Sequence, residues 1–377
     1  MKIALVHLCS FGDCLYATLI ARQIKRDYPG SHLTWVIGDK YASVLEGNPH
    51  VDKIYEIPVK GVKDALSIGW AEARKWVQSQ LNESIFQKVY YTQILPDNAA
   101  CYDGLIRSTT YRSYGKPIDG PHNPVLVLTA AEKNRVENFI RINGIHRAER
   151  AFLFECGARS GQSPMTPPRA EKLADTLARL HPSAVFILSS DTAVSRPSRQ
   201  LIDGSSLSFR ENAALSHYCA GLIGCSSGIT WVTTSTAGRA LPMLQILTKS
   251  TEMFKFASVA LDFRRFNLDP SRVIEMTDPS DPSIIACVNT WLTESHLAAR
   301  QQFGEELTPT RAHAENAYLA LRGDSGRIAA LMSAWRIVRV NGLRTVPWRV
   351  PYWEFRSCCR ALGRLFFRPR WRPKAGA

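Results

Sequence analysis

Three short loops in this chain bring together small, hydroxyl-bearing and charged residues in combinations that could do chemistry, and each follows a short apolar run. In the first, Ser10-Phe11-Gly12-Asp13, the glycine permits close backbone approach, and the helix that opens there presents N–H groups that attract anions. Asp13 then has two readings: a carboxylate at a cleft mouth that takes a proton from an attacking hydroxyl, or a cap on the following helix worth about 0.5–2 kcal/mol. The second loop is Gly157-Ala158-Arg159-Ser160-Gly161-Gln162-Ser163. Its N–H, hydroxyl and guanidinium groups can hold a diphosphate, or it is a solvated turn. It lacks Gly-Lys-Ser/Thr, which argues against a nucleotide-hydrolysing P-loop. The third, Gly224-Cys225-Ser226-Ser227-Gly228-Ile229-Thr230-Trp231, sets Ser-Ser-Gly at a strand-to-helix junction, another anion-binding arrangement and equally an ordinary tight turn. Asp191 is a further candidate, for ribose hydroxyls, with a surface turn as its alternative.

The elements that must position these loops alternate between strand and helix. Residues 3–8 read as a strand and 14–27 as a helix with Leu15, Leu19, Ile20 and Ile24 on one face. Strands at 33–37 and 53–57 follow, with a short helix at 41–46 between them, then a helix at 71–81 and a strand at 88–92. Residues 96–124 read as loops with short helices, 125–129 as extended and 130–142 as a charged amphipathic helix. The rhythm restarts with strands at 151–155, 184–189, 221–224 and 241–247 and helices at 171–180 and 211–219. Two successive α/β units predict parallel sheets facing a central cleft, where such folds bind ligands beyond the carboxyl ends of their strands. We divide the chain at 1–148, 149–310 and 311–377; the pattern turns helical at 284–294 and the last part is helical at 311–322 and 327–340, then basic and aromatic.

The 377 residues suffice for two cores, and 45% apolar with 21% charged residues is ordinary for a globular chain. No apolar run approaches the roughly 18–20 residues that span a bilayer, and the N-terminus lacks a signal-peptide layout, so the expected location is the cytoplasm. The nine cysteines have no C-x-x-C pair, and His7, His217 and the other histidines show no metal spacing. They read as buried hydrophobes and structural histidines. Of the net charge of +14, most lies from Ser333 onward, where eleven Arg and Lys face one acid, Glu354. Trp348, Tyr352, Trp353, Phe355 and Trp371 lie among them, a composition suited to an anionic membrane surface or to a solvated tail. Nucleic acid is not an expected partner, because no RNA- or DNA-binding module surrounds the tail.

The stretch from Met1 to Pro58, with its strand, Ser-x-Gly-Asp loop, helix ending at Tyr28-Pro29 and Gly47-Asn48-Pro49-His50-Val51-Asp52, resembles the bacterial ADP-heptose:lipopolysaccharide heptosyltransferases, glycosyltransferase family 9. The block from Ser206 to Trp231 resembles the family's second-domain segment. The resemblance covers roughly residues 3–58 and 151–247. It implies a GT-B fold of two Rossmann-like domains and an inverting, metal-independent transfer without cofactor. It also implies a nucleoside-diphosphate sugar, ADP-heptose or related, as donor, and a glycolipid acceptor at the inner face of the bacterial inner membrane. The family's catalytic Asp matches Asp13, with Ser10, Phe11 and Gly12 shaping the acceptor side. Arg159, Ser160, Gln162, Ser163, Ser226, Ser227, Gly228, Ile229, Thr230 and Asp191 are then the donor-side candidates. The chain departs from the family at Ser226, where an acid is usual, at Trp231, where a histidine is usual, and in the 157–168 loop, which lacks the usual lysine. A catalytically silent relative that binds nucleotide or glycan as an assembly partner is the alternative reading.

Overall fold

The computed structural model describes residues 1–157 and 160–347. Strand β1 (Lys2–Val6) is buried from Ile3 onward, as a central parallel strand is when helices cover both its faces. Helix α1 (Phe11–Asp27) follows it, then β2 (His32–Gly38), a 3₁₀ turn at Asp39–Leu45, and β3 (Lys53–Ile57). The short α2 (Val62–Asp64) runs through a π turn into α3 (Trp70–Asn82), and β4 (Lys88–Tyr91) completes a parallel sheet of order β3-β2-β1-β4. Helix α4 (Ile106–Ser113) lies beyond it. Helix α5 (Ala130–Ile142) starts from a capping box in which Thr129 and Glu132 satisfy each other's backbone N–H.

The second sheet has order β10-β9-β8-β5-β6-β7 and is parallel throughout. Its strands are β5 (Arg150–Glu155), β6 (Ala184–Ser189), β7 (Leu201–Asp203), β8 (Gly221–Gly224), β9 (Met243–Leu247) and β10 (Val273–Thr277). Between them run α6 (Pro167–Leu180), α7 (Glu211–Leu215), α8 (Gly228–Val232) and α9 (Val259–Arg265). The helices α10 (Asp281–Thr293), α11 (His296–Phe303), α12 (Arg311–Asp324) and α13 (Arg327–Asn341) end the described chain.

Several elements differ from the sequence expectation for identifiable reasons. Helix α1 is buried almost all round from Cys14 to Ala21 and not on one stripe, because α4 and α8 cover the side a lone α/β unit would leave wet. β10 was not foreseen, because buried Glu275 interrupts its apolar run, and β7 is only three residues long. The helix expected at 211–219 stops at Leu215 and continues as a 3₁₀ turn. Helices α12 and α13 turn back onto the first half: Arg336 Nε donates to Ala100 O at 2.7 Å and Asn341 Nδ2 to Asp103 O at 3.0 Å. Tyr102, Met253, Ala314, Tyr318 and Ile337 form a separate buried cluster there.

A buried arginine fixes one half against the other. Arg210, 3% exposed, donates to both oxygens of Glu132 (2.6 and 3.0 Å), to Ser43 O (2.9 Å), Glu46 O (3.2 Å) and Val127 O. The Arg210 guanidinium holds the Glu132 carboxyl down to about 2. The loop after β7 is thereby tied to the turn after β2 and to α5.

Candidate active site

Because every strand pair is parallel, the loops that follow the strands of each sheet gather at one edge, and the two edges face each other across a cleft of about 790 Å³. Ser10, Phe11, Gly12, Asp13 and Tyr16 line one wall with Tyr41, Leu105 and the first α4 residues Ile106 and Arg107. The opposite wall carries Glu155 at the end of β5 with Gly157, Ser160 and Gln162 beyond it, Ser189 at the end of β6 with Ser190 and Asp191 beyond it, and Phe209 after β7. Ser226, Ser227, Gly228, Ile229 and Trp231 after β8 also line it, with Asn212 from α7, Ser258 capping α9 and Asp262 within α9.

Asp13 is half-buried at the first turn of α1, and Ser10 Oγ donates to its Oδ2 at 3.3 Å. Burial raises its carboxyl from 3.8 to about 6, against the opposing pull of Ser10 and of the Arg107 charge. Arg107 itself is 6% exposed. Its guanidinium lies 3.7 Å from the Tyr16 ring centroid and also over the Trp231 ring, and its Nη1 is 3.4 Å from Asp262 Oδ2. Trp231 and Asp262 belong to the second sheet's half, so this cation bridges the cleft. Phe11 stacks on Phe209 across the same gap, with centroids 5.1 Å apart and planes at 28°, while Tyr41 meets Phe11 edge-on. Gly228 makes room for that stack, since a Cβ there would come within 2.7 Å of the Phe209 ring.

The third loop is organised from within by Glu155, 1% exposed at the end of β5. Its carboxylate accepts from Cys225 N at 2.7 Å, Thr230 N at 3.2 Å, Thr230 Oγ1 at 2.9 Å, Ser227 N at 3.4 Å and Ser227 Oγ. The α8 N-terminus thus already holds a negative charge supplied by the chain. Ser226, in the left-handed region at φ 57°, gives its N–H to Gln245 Oε1 at 2.8 Å.

The structure therefore treats the candidates of the sequence differently. It brings Ser10, Phe11, Gly12, Asp13, Ser160, Gln162, Asp191, Ser226, Ser227, Gly228 and Ile229 to one cleft. Thr230 and Ser163 are not among its lining residues. Thr230 is fully buried with both its polar groups turned to Glu155, and Ser163 Oγ donates to Ile246 O. Arg159 lies outside the described residues. Gln162 Nε2 is directed to Phe254 O at 3.2 Å. Sequence reasoning missed Arg107, Tyr16, Glu155 and Asp262: each is a lone charged or aromatic residue within a helix, or at a strand end, with no local pattern. His7 is buried, its Nδ1 3.0 Å from Thr92 Oγ1, and burial lowers it to about 3. Burial pushes the Cys9 thiol up to about 12, so it is no nucleophile at neutral pH. Among the described residues no group of three or more His, Cys, Asp or Glu could hold a metal ion. Nor is any helix there long and apolar enough to cross a membrane.

No protein-family model matches the chain. Over 76 residues it is 32% identical to lipopolysaccharide heptosyltransferase 1 of Campylobacter coli, a match spanning 20% of this chain and only 22% of that relative. A family 9 glycosyl transferase from Veillonella parvula superposes with a TM-score of 0.50 at 15% identity, covering 80% of this chain and 94% of the other. The ADP-heptose lipopolysaccharide heptosyltransferase II of E. coli gives 0.50 at 15% identity over 78% and 98%. The chain has the GT-B architecture of these structures, two parallel α/β halves facing a cleft.

Proposed function

We propose that this chain is an inverting, metal-independent glycosyltransferase with Asp13 as general base. The sugar, a heptose or a related one, passes from a nucleoside diphosphate to a lipid-linked glycan of lipopolysaccharide type. The observation that carries the reading is the placement of the Asp13 carboxyl, raised to about 6, in a cleft edged by both parallel sheets. A base with that pKa is ionised at neutral pH yet takes a proton more readily than an ordinary carboxylate. Asp13 removes the acceptor hydroxyl's proton as that oxygen bonds to the anomeric carbon. The bond from that carbon to the diphosphate oxygen breaks, and its electron pair leaves with the diphosphate. Ser160 and the amides of Gly228 and Ile229, on the cleft wall of the second sheet, are the groups assigned to the departing charge. The name of the E. coli structure, an ADP-heptose transferase, supports ADP-heptose as the first donor to test. The basic, aromatic tail at 342–377, of which only 342–347 are described, is proposed to lie on anionic lipid at the cytoplasmic face of the inner membrane.

Two measurements test this. A thermal-shift screen of nucleoside diphosphates should find one that raises the melting temperature. Donor hydrolysis or transfer should be present in the wild type, persist in a chelator and vanish in Asp13→Ala. The catalytically silent reading is favoured by one observation, the Glu155 carboxylate seated on amides and hydroxyls that would otherwise stabilise a departing diphosphate. Binding of donor without turnover across a panel of acceptors would establish it.

A further inference from the structure

The cleft wall beside Asp13 holds four buried polar atoms without a partner: Arg107 Nε, Asp262 Oδ1, Tyr16 OH and, deeper along the wall, Asn212 Oδ1. Their residues are 6%, 6%, 4% and 1% exposed. A folded chain leaves such groups unsatisfied only at a cost in free energy, so a cluster of them on one cavity wall calls for a ligand.

The chemistry of that ligand follows from what these groups can still donate and accept. Arg107 is the one basic side chain among the described residues lining the cleft, and it is already engaged. Rings cover its faces at Tyr16 and Trp231, and Asp262 takes Nη1. Asp13 feels its charge from the other side. Arg265, the other cation that acts on Asp262, is paired with Asp103 and does not line the cleft, so the described lining at this end sets one guanidinium against two carboxylates. The unpartnered groups are also rich in acceptors. Asp262 Oδ1 accepts, Asn212 Oδ1 accepts because its Nδ2 is spent on Ser208 O, and only Tyr16 OH and Arg107 Nε can donate. A carboxylate or phosphate offers acceptors alone and would face two carboxylates with no free cation among the described lining residues. Hydroxyls both donate and accept.

We propose that the sugar unit seated beside Asp13 is neutral and hydroxyl-rich, read by Asp262, Tyr16 and Arg107, and that an acceptor unit carrying a carboxylate or phosphate is excluded. This rests on the reading of the cleft as a transferase site and names the substrate class within it. Asp262 and Tyr16 then act as specificity-determining residues, by the same arrangement that keeps Arg107 from binding an acid.

The test uses saturation-transfer NMR on the full chain with two probes that differ only at one carbon, methyl glucoside and methyl glucuronide. The glucoside should bind about tenfold more tightly or better, as expected where like charges are brought together. Asp262→Asn should shrink or invert that ratio by releasing Arg107. Tyr16→Phe, which removes only the hydroxyl, should weaken glucoside binding several-fold and covers the case in which Asp262→Asn fails to fold. Equal or tighter binding of the glucuronide by the wild type would overturn the proposal. So would an unchanged ratio in a folded Asp262→Asn, or no binding of the glucoside up to tens of millimolar. Because no donor is present, failure here is distinct from failure of the transferase reading, which the nucleoside-diphosphate screen decides alone.

Discussion

Burial raises the Asp13 carboxyl from its ordinary 3.8 to about 6, so the folded chain carries this charge at a cost once the pH exceeds that value. The sign follows from linkage. An acid with a raised folded-state pKa binds its proton more tightly when folded, which favours the fold below the unfolded value and is lost as pH rises through the folded one. At about 1.36 kcal/mol per pKa unit the full penalty approaches ~3 kcal/mol. Asp13 is only half-buried and opens onto the cleft, so solvent screening leaves about 1–2 kcal/mol. Asp13→Asn keeps the shape and can still accept from Ser10 Oγ, but it abolishes the charge. We expect the variant to be more stable than wild type by that amount in urea unfolding near pH 8, the gap narrowing through pH 6 and closing by about pH 4. It should also be inactive, while wild-type turnover falls off below about pH 6. A wild type as stable as the variant, or more so, at pH 8 would refute the argument that this carboxylate is held at a cost for function.

Arg210→Met should destabilise the chain by about 3–5 kcal/mol in the same unfolding measurement, because it leaves Glu132 buried without its counter-charge. Glu132, held down to about 2, contributes stability that is present above its ordinary 4.5 and lost as pH falls through about 2. Glu132→Gln should therefore flatten the acid limb of the stability curve. Glu155→Gln should cost about 1–3 kcal/mol, since an amide can accept with one oxygen only. The same variant should bind nucleoside diphosphates more tightly by calorimetry, because a buried negative charge has left the α8 N-terminus. Gly228→Ala should cost about 1–3 kcal/mol by pushing the Phe209 ring off Phe11, with a larger loss in kcat than in KM if that stack holds the Asp13 loop.

The architecture was legible because its signals are periodic and local. The all-apolar run of β1, the helix that follows it and the restart at β5 each announce themselves within a dozen residues. So does the loop that carries Asp13, since a Gly-Asp pair between a strand and a helix is a short-range pattern. What stayed hidden is what the fold assembles from afar. Arg107 draws its meaning from Trp231 and Asp262, more than a hundred residues on, and Glu155 from the loop at 225–230. The same distance explains Thr230. Its position in a Ser-Ser-Gly turn reads as a ligand contact, and only the buried carboxylate arriving from β5 shows that its polar groups point inward.

The return of α12 and α13 to residues 99–103 carries a consequence for biosynthesis. Tyr102 is fully buried, and its hydroxyl meets His313 at 2.9 Å, a partner 211 positions later in the chain. Its other cover, Met253, Tyr318 and Ile337, is likewise made late. On the ribosome the N-terminal half therefore keeps an unsealed apolar flank until residues beyond 337 have emerged, and this seam closes only with the arrival of α12 and α13.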